Sequence, residues 1–195
     1  MADFVADSGL VARCLPSPSH RARKAEERLE FVIIHGTWMA GDEGALARLT
    51  DAVVEVSCHY YITRGGEIIQ LVKEAEVAYH AGKSHAVNSM GWNVEGLNGW
   101  SLGIEVANSG PFGATPPTPE EEATADWDNV EPYTQAQYGA LVDLLRDIMA
   151  RHAGITPARV LGHDVVSPGR KSDPGPHFDW EWLEAAKVAL VPTRG

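Results

Sequence analysis

The sequence predicts an α/β fold: a single domain whose mixed central β-sheet is flanked by helices, with a ligand site at the strand ends. Three observations lead there. Phe31-Val32-Ile33-Ile34 is a continuous, largely β-branched apolar run, the signature of a strand buried on both faces. Two β-rich runs, Cys58–Thr63 and Glu67–Leu71, flank Arg64-Gly65-Gly66 and predict a hairpin. Beyond them, helical and strand patterns alternate without internal repeats. A chain of 195 residues can bury one sizeable core and is short for two.

Residues 1–30 show little periodicity and a Pro-x-Pro bend at Pro16–Pro18, and read as an N-terminal arm before a domain at 31–191. After the first strand, Leu46 and Leu49 mark a short helix from Asp42 to about Asp51. A further strand is predicted over Ser101–Ala107. Its alternation puts Leu102, Ile104 and Val106 on one face and Glu105 on the other. Residues 111–132 then read as a loop rich in proline and acid. The next helix is clearly punctuated. Thr134 and Gln137 form a capping box, Tyr133 and Tyr138 a hydrophobic staple, and Tyr138, Leu141, Val142, Leu145, Ile148 and Met149 a buried stripe. Gly154 stands where a C-terminal cap belongs. Arg159–Gly162 is a short strand ending at His163, and Asp179–Val191 reads as a closing helix.

Composition excludes several functional classes. The formal charge of −11 argues against nucleic acid as a partner. Six of the excess negatives (Glu120, Glu121, Glu122, Asp126, Asp128 and Glu131) lie between residues 116 and 132, which hold no Lys or Arg. The acidity is thus mostly one loop. Two cysteines 44 residues apart, Cys14 and Cys58, make no disulfide framework. Cys58 is expected to be a buried thiol. No window reaches the length of an apolar membrane span, and Asp3 and Asp7 interrupt any signal-peptide h-region, so the expected location is the cytoplasm. The sequence assigns no oligomeric state.

Two histidines, His35 and His163, follow predicted strands, where ligands gather in α/β sheets. Bends at Pro168-Gly169 and Pro174-Gly175 fix the direction of Asp173. Two imidazoles and a carboxylate make a three-ligand zinc set with a fourth position open, the catalytic rather than the structural arrangement. His59, His80, His85, His152 and His177 compete as ligands at this stage.

The segments Phe31–Thr37, Ser57–Thr63, Tyr79–Gly82, Ser101–Asn108, Gly162-His163 and Pro168–Pro176 resemble, in order, the zinc-dependent N-acetylmuramoyl-L-alanine amidases, which share a fold with peptidoglycan recognition proteins. The resemblance covers about residues 30–183, with Pro168–Pro176 its most specific part. It implies Zn2+ held by His35, His163 and Asp173, where some relatives have Cys at the last position. Glu105 would handle the water proton, and Lys171 would face the substrate carbonyl. His80, Gly82 and Arg170 are assigned to the substrate groove, with hydrogen bonding to a metal ligand an open alternative for His80. His59 is expected to be structural. Trp92 and Trp100 are expected to pack in the core more than to stack on sugars. The implied reaction cuts the amide between N-acetylmuramic acid and L-alanine in peptidoglycan or in soluble muropeptides, with cell-wall recycling favoured. A phage-type endolysin and a non-catalytic peptidoglycan receptor are the alternatives.

Overall fold

A computed structural model describes residues 4–192. Its strands and helices, in chain order, are β1 (Arg13–Cys14), β2 (His20–Ala22), β3 (Phe31–Gly36), α1 (Asp42–Leu49), β4 (Tyr60–Ile62), β5 (Ile68–Gln70), β6 (Glu76–Ala78), β7 (His85–Val87), β8 (Asn93–Glu95), β9 (Ser101–Val106), α2 (Pro119–Ala123), α3 (Gln135–Arg151), β10 (Val160–Gly162), α4 (His163–Val166) and α5 (Trp180–Ala185). Six strands form the main sheet in the order β1-β5-β4-β9-β3-β10. Only the β4–β5 hairpin is antiparallel; every other neighbouring pair runs parallel. The predicted mixed sheet is therefore the one observed.

β3 is buried along its whole length, as a run with no polar alternation requires. It extends through Gly36 because β9 pairs with it residue for residue, so His35 lies within the strand rather than after it. One face of the sheet packs Val32, Ile34, Leu102, Ile104 and Val106 against Leu141, Leu145 and Ile148 of α3 and Leu183 of α5. Phe31 and Ile33 pack on the other face with Ala81, Leu97 and Val166. The capping box of α3 forms as predicted, and the staple tyrosines meet at 6.1 Å between ring centroids.

Four segments differ from their sequence reading. The arm joins the sheet: β1 extends its edge beside β5, and β2 pairs antiparallel with β6. The acidic loop contains α2, opened by Thr118 and Glu121 in a reciprocal capping box with Pro119 in the first turn. The closing helix stops at Ala185. Lys187 takes a left-handed φ of 61°, and Val188 N–H→Leu183 O and Lys187 N–H→Glu184 O close a Schellman motif without glycine. Trp92 is 64% exposed rather than packed, whereas Trp100 is half-buried against Phe31 and Ile33. Among the described residues no helix is long and apolar enough to cross a membrane.

A buried polar cluster ties the end of α3 to the sheet. Glu74, 5% exposed, accepts from Tyr60 Oη at 2.6 Å, from Arg151 Nη2 at 2.9 Å and from Arg151 Nη1, and meets His152 Nε2 at 2.7 Å. Burial alone would raise this carboxyl, but the bonds from His152, Arg151 and Tyr60 outweigh it and bring the pKa down to about 2. A folded-state pKa below the unfolded value stabilises the fold above the ordinary carboxylate range and loses that contribution as pH falls toward about 2. Glu74→Gln is expected to cost about 3 kcal/mol at neutral pH and to flatten the acid limb of stability. Urea unfolding of both proteins between about pH 6 and 2 checks this; parallel pH curves would contradict it.

Candidate active site

Three parallel strands deliver the site at their carboxyl ends. His35 is the fifth residue of β3, Glu105 stands directly opposite it in β9, and His163 follows β10. All three lie at the C-terminal edge of the sheet, where open α/β sheets bind ligands. Glu105 projects away from Leu102, Ile104 and Val106, as the alternation predicts.

His35 Nδ1, His163 Nδ1 and Asp173 Oδ2 form a triangle with every side 3.0 Å, and all three residues are buried. Hydrogen bonding alone cannot satisfy it, since an ionised carboxylate only accepts and each Nδ1 carries at most one proton. The outer nitrogens set the tautomers. His163 Nε2 meets the Ala81 carbonyl at 3.2 Å, which can only accept, so the proton sits on Nε2 and Nδ1 presents a lone pair. Arg170 Nη2 also approaches that nitrogen, but its own hydrogens are taken by Ala81 O at 2.8 Å and Ser167 Oγ at 2.7 Å. On the other side, Ser101 Oγ donates to Leu97 O at 2.7 Å and is free to accept from His80 Nε2 at 3.3 Å. His80 Nδ1 then accepts from His35 Nε2 at 3.0 Å, leaving the His35 Nδ1 lone pair aimed into the triangle. These relays orient ligands as outer partners do at metal sites.

The electrostatics agree. Burial, then the neighbouring His163, lowers the His35 pKa to about 4 and favours a neutral ring. Burial would raise Asp173; His163 first, and then His35, would pull it well below its usual range by charge and hydrogen bonding only when those rings are protonated. Glu105 moves the other way. Burial pushes it up to about 8, Asp173 adds to the rise, and Lys171 opposes it. Its Oε2 atom is buried and has no hydrogen-bond partner among the described residues. Lys171 Nζ lies 2.6 Å from Glu122 Oε1. A cavity of about 180 Å³, the space of roughly six waters, is lined by His35, Glu105, His163, Lys171 and Asp173 together with Pro116, Pro117 and Glu122.

The family model described as N-acetylmuramoyl-L-alanine amidase matches residues 25–176. The chain belongs to this family. It is 35% identical over 181 residues to N-acetylmuramoyl-L-alanine amidase AmiD of Escherichia coli K12, which covers 88% of this chain and 58% of AmiD. It is 38% identical over 135 residues to 1,6-anhydro-N-acetylmuramyl-L-alanine amidase AmpD of Haemophilus influenzae, covering 69% of this chain and 60% of that protein. The chain thus spans about three-fifths of the length of these two curated relatives. A solved AmiD complex superposes with a TM-score of 0.70 at 33% identity, covering 89% of this chain and 63% of that one. A crystal structure of a Se-Met AmpD derivative gives 0.69 at 28%, covering 92% and 95%.

Within this amidase fold, His35, His163, Asp173, Glu105 and Lys171 surround one cavity. His80 borders the cavity and hydrogen-bonds His35. Gly103 permits this, because a Cβ there would lie 2.4 Å from the His80 ring. Gly82 lies under the Arg170 guanidinium, which braces the Ala81 and Lys83 carbonyls. The other histidines stand elsewhere. His59 accepts from Gly103 N–H and reaches Glu76 O, His85 is exposed on β7, His152 meets Glu74, and His177 stacks on Tyr133. Ser101 and Glu122 were not singled out by sequence. Only the Thr118–Glu121 capping pattern hinted that the acidic loop holds an ordered element.

Proposed function

We propose that this chain is a zinc hydrolase cutting the amide between the lactyl carbonyl of N-acetylmuramic acid and L-alanine in soluble anhydro-muropeptides, a cell-wall recycling step in the cytoplasm. The observation that carries this reading is the His35–His163–Asp173 triangle beside Glu105 and Lys171 in one cavity. Two neutral imidazoles and one carboxylate are a catalytic zinc donor set. Donors bound tetrahedrally at about 2.0–2.1 Å stand roughly 3.3 Å apart, close to the 3.0 Å sides seen here. When bound, zinc supplies Lewis acidity and makes water deprotonate near neutral pH. With a bound cation offsetting the burial that raises its pKa, an ionised Glu105 is placed to take a proton from the attacking water and return it to the departing alanine nitrogen. Lys171 presents a cation where the carbonyl oxygen gains negative charge.

The relatives and the cavity support this substrate form. The AmiD structure holds anhydro-N-acetylmuramic acid-L-Ala-D-gamma-Glu-L-Lys, and an AmpDh3 structure from Pseudomonas aeruginosa, 28% identical, holds an anhydromuramic pentapeptide. A cavity of about 180 Å³ is large enough for the scissile amide and its immediate flanking groups. The test offers purified protein soluble anhydro-muropeptides and intact wall side by side, with products read by mass spectrometry. The expected result is peptide with a free L-alanine amine, mainly from the soluble substrate, about one zinc per chain, and loss of release on chelation. Full activity in metal-free protein would defeat the mechanism, and preferential release from intact wall would defeat the substrate assignment. Fractionation of the source cells checks the location.

A further inference from the structure

We propose that Glu122, on the acidic loop, is a positioning residue that holds the Lys171 ammonium at the reaction site. The inference rests on the hydrolase reading above. α2 buries a single residue, Glu122, whose side chain is 5% exposed while Glu120, Glu121 and Ala123 stand in solvent. Burying a carboxylate is unfavourable unless it is paired and hydrogen-bonded, and this one is both. Oε1 accepts from Lys171 Nζ at 2.6 Å; Oε2 accepts from Ser172 N–H at 3.1 Å and Ser172 Oγ at 3.0 Å. Trp38 Nε1 donates to the same Ser172 hydroxyl at 3.0 Å, so the Lys171–Ser172 segment is gripped from two sides.

The loop is itself anchored, which gives Glu122 a fixed place from which to act. Phe112 and Trp127 pack on Trp38 at 5.8 and 5.2 Å between ring centroids, and Trp127 also stacks on His177. Glu122 and Lys171 then face the same cavity as His35, Glu105 and Asp173. A lysine ammonium rides a flexible four-carbon stem and carries three donors. With Lys171 about one-third exposed, an unpaired side chain would sample solvent. Paired, it uses one donor on Glu122 and keeps two to meet the carbonyl oxygen. Glu122 touches no reacting atom; it acts through Lys171.

The test measures release of peptide from a soluble anhydro-muropeptide by the full chain and its variants. Glu122→Gln keeps the shape and the ability to accept from Ser172 but removes the charge. It is expected to lower kcat about tenfold, with KM within about twofold, zinc content unchanged, and any fall in Tm small enough that the variant stays folded at the assay temperature. Glu122→Asp is expected to recover part of the loss. In a Lys171→Met background, Glu122→Gln should have no further effect, because the partner through which it acts is gone. The proposal is overturned if Glu122→Gln matches or exceeds wild-type turnover, if its loss lies in KM or metal content, or if it adds fully to Lys171→Met. A wild-type chain that releases no peptide overturns the hydrolase reading and this inference together. Normal wild-type release with an indifferent Glu122→Gln overturns this inference alone.

Discussion

Asp173→Ala is expected to abolish turnover by at least about a thousandfold and to leave the purified protein without its metal. Asp173 supplies the only anionic donor of the triangle, and its Oδ2 stands 3.0 Å from both His35 Nδ1 and His163 Nδ1. Without it, two neutral imidazoles would have to hold a dication in a buried pocket, with charge neutralisation and one of three bonds missing. The backbone of the site should survive, since Asp173 O still accepts from Asp164 N–H at 2.8 Å and Arg170 still ties Ser167 to the Ala81 carbonyl. Loss of metal can therefore be separated from loss of fold by metal analysis after dialysis together with circular dichroism. Asp173→Cys provides the converse, because a thiolate is also an anionic zinc ligand and should restore metal content. Stoichiometric zinc in folded Asp173→Ala would remove Asp173 from the ligand set.

What the sequence revealed depended on how local each determinant is. β3, the β4–β5 hairpin, β9 and α3 were readable because each is written in its own residues: an apolar run, a Gly-Gly turn, an alternation, a capping box. The side of the sheet to which Glu105 points followed from that alternation alone. β1 was not readable. Its two residues are a strand only because β5 pairs with them from more than fifty residues away. The same applies to Glu122. Within Pro119-Glu120-Glu121-Glu122 nothing separates the buried acid from its exposed neighbours; Lys171, 49 positions on, makes the difference. The three donors were visible singly as strand-end or turn residues with five histidine competitors. Folding removes the competition by giving His59, His152 and His177 partners of their own and leaving His85 exposed. Trp92 shows the opposite limit, an aromatic that composition assigns to the core and that the β7–β8 hairpin leaves in solvent.

Glu105→Gln is expected to keep its zinc and lose turnover by about a thousandfold, the scale on which a positioned general acid–base group contributes. Glutamine preserves the shape and one acceptor but cannot carry a proton from water to the leaving nitrogen. The location is specific: β9 holds Glu105 opposite His35 in register, so it lines the same cavity as the His35–His163–Asp173 triangle without being one of its corners. A second consequence separates a catalytic carboxylate from an ordinary surface acid. Glu105 Oε2 is buried and makes no hydrogen bond among the described residues, whereas both oxygens of Glu122 accept hydrogen bonds. A buried carboxyl oxygen left without a partner burdens the fold. Replacing it should therefore leave the Tm equal to or above that of the wild type even as activity collapses, the opposite of what removing Glu74 does. Thermal unfolding, metal content and turnover measured on one preparation decide the matter. A variant that is both less stable and metal-depleted would make Glu105 a structural support of the centre, and one with wild-type turnover would take it out of the proton path.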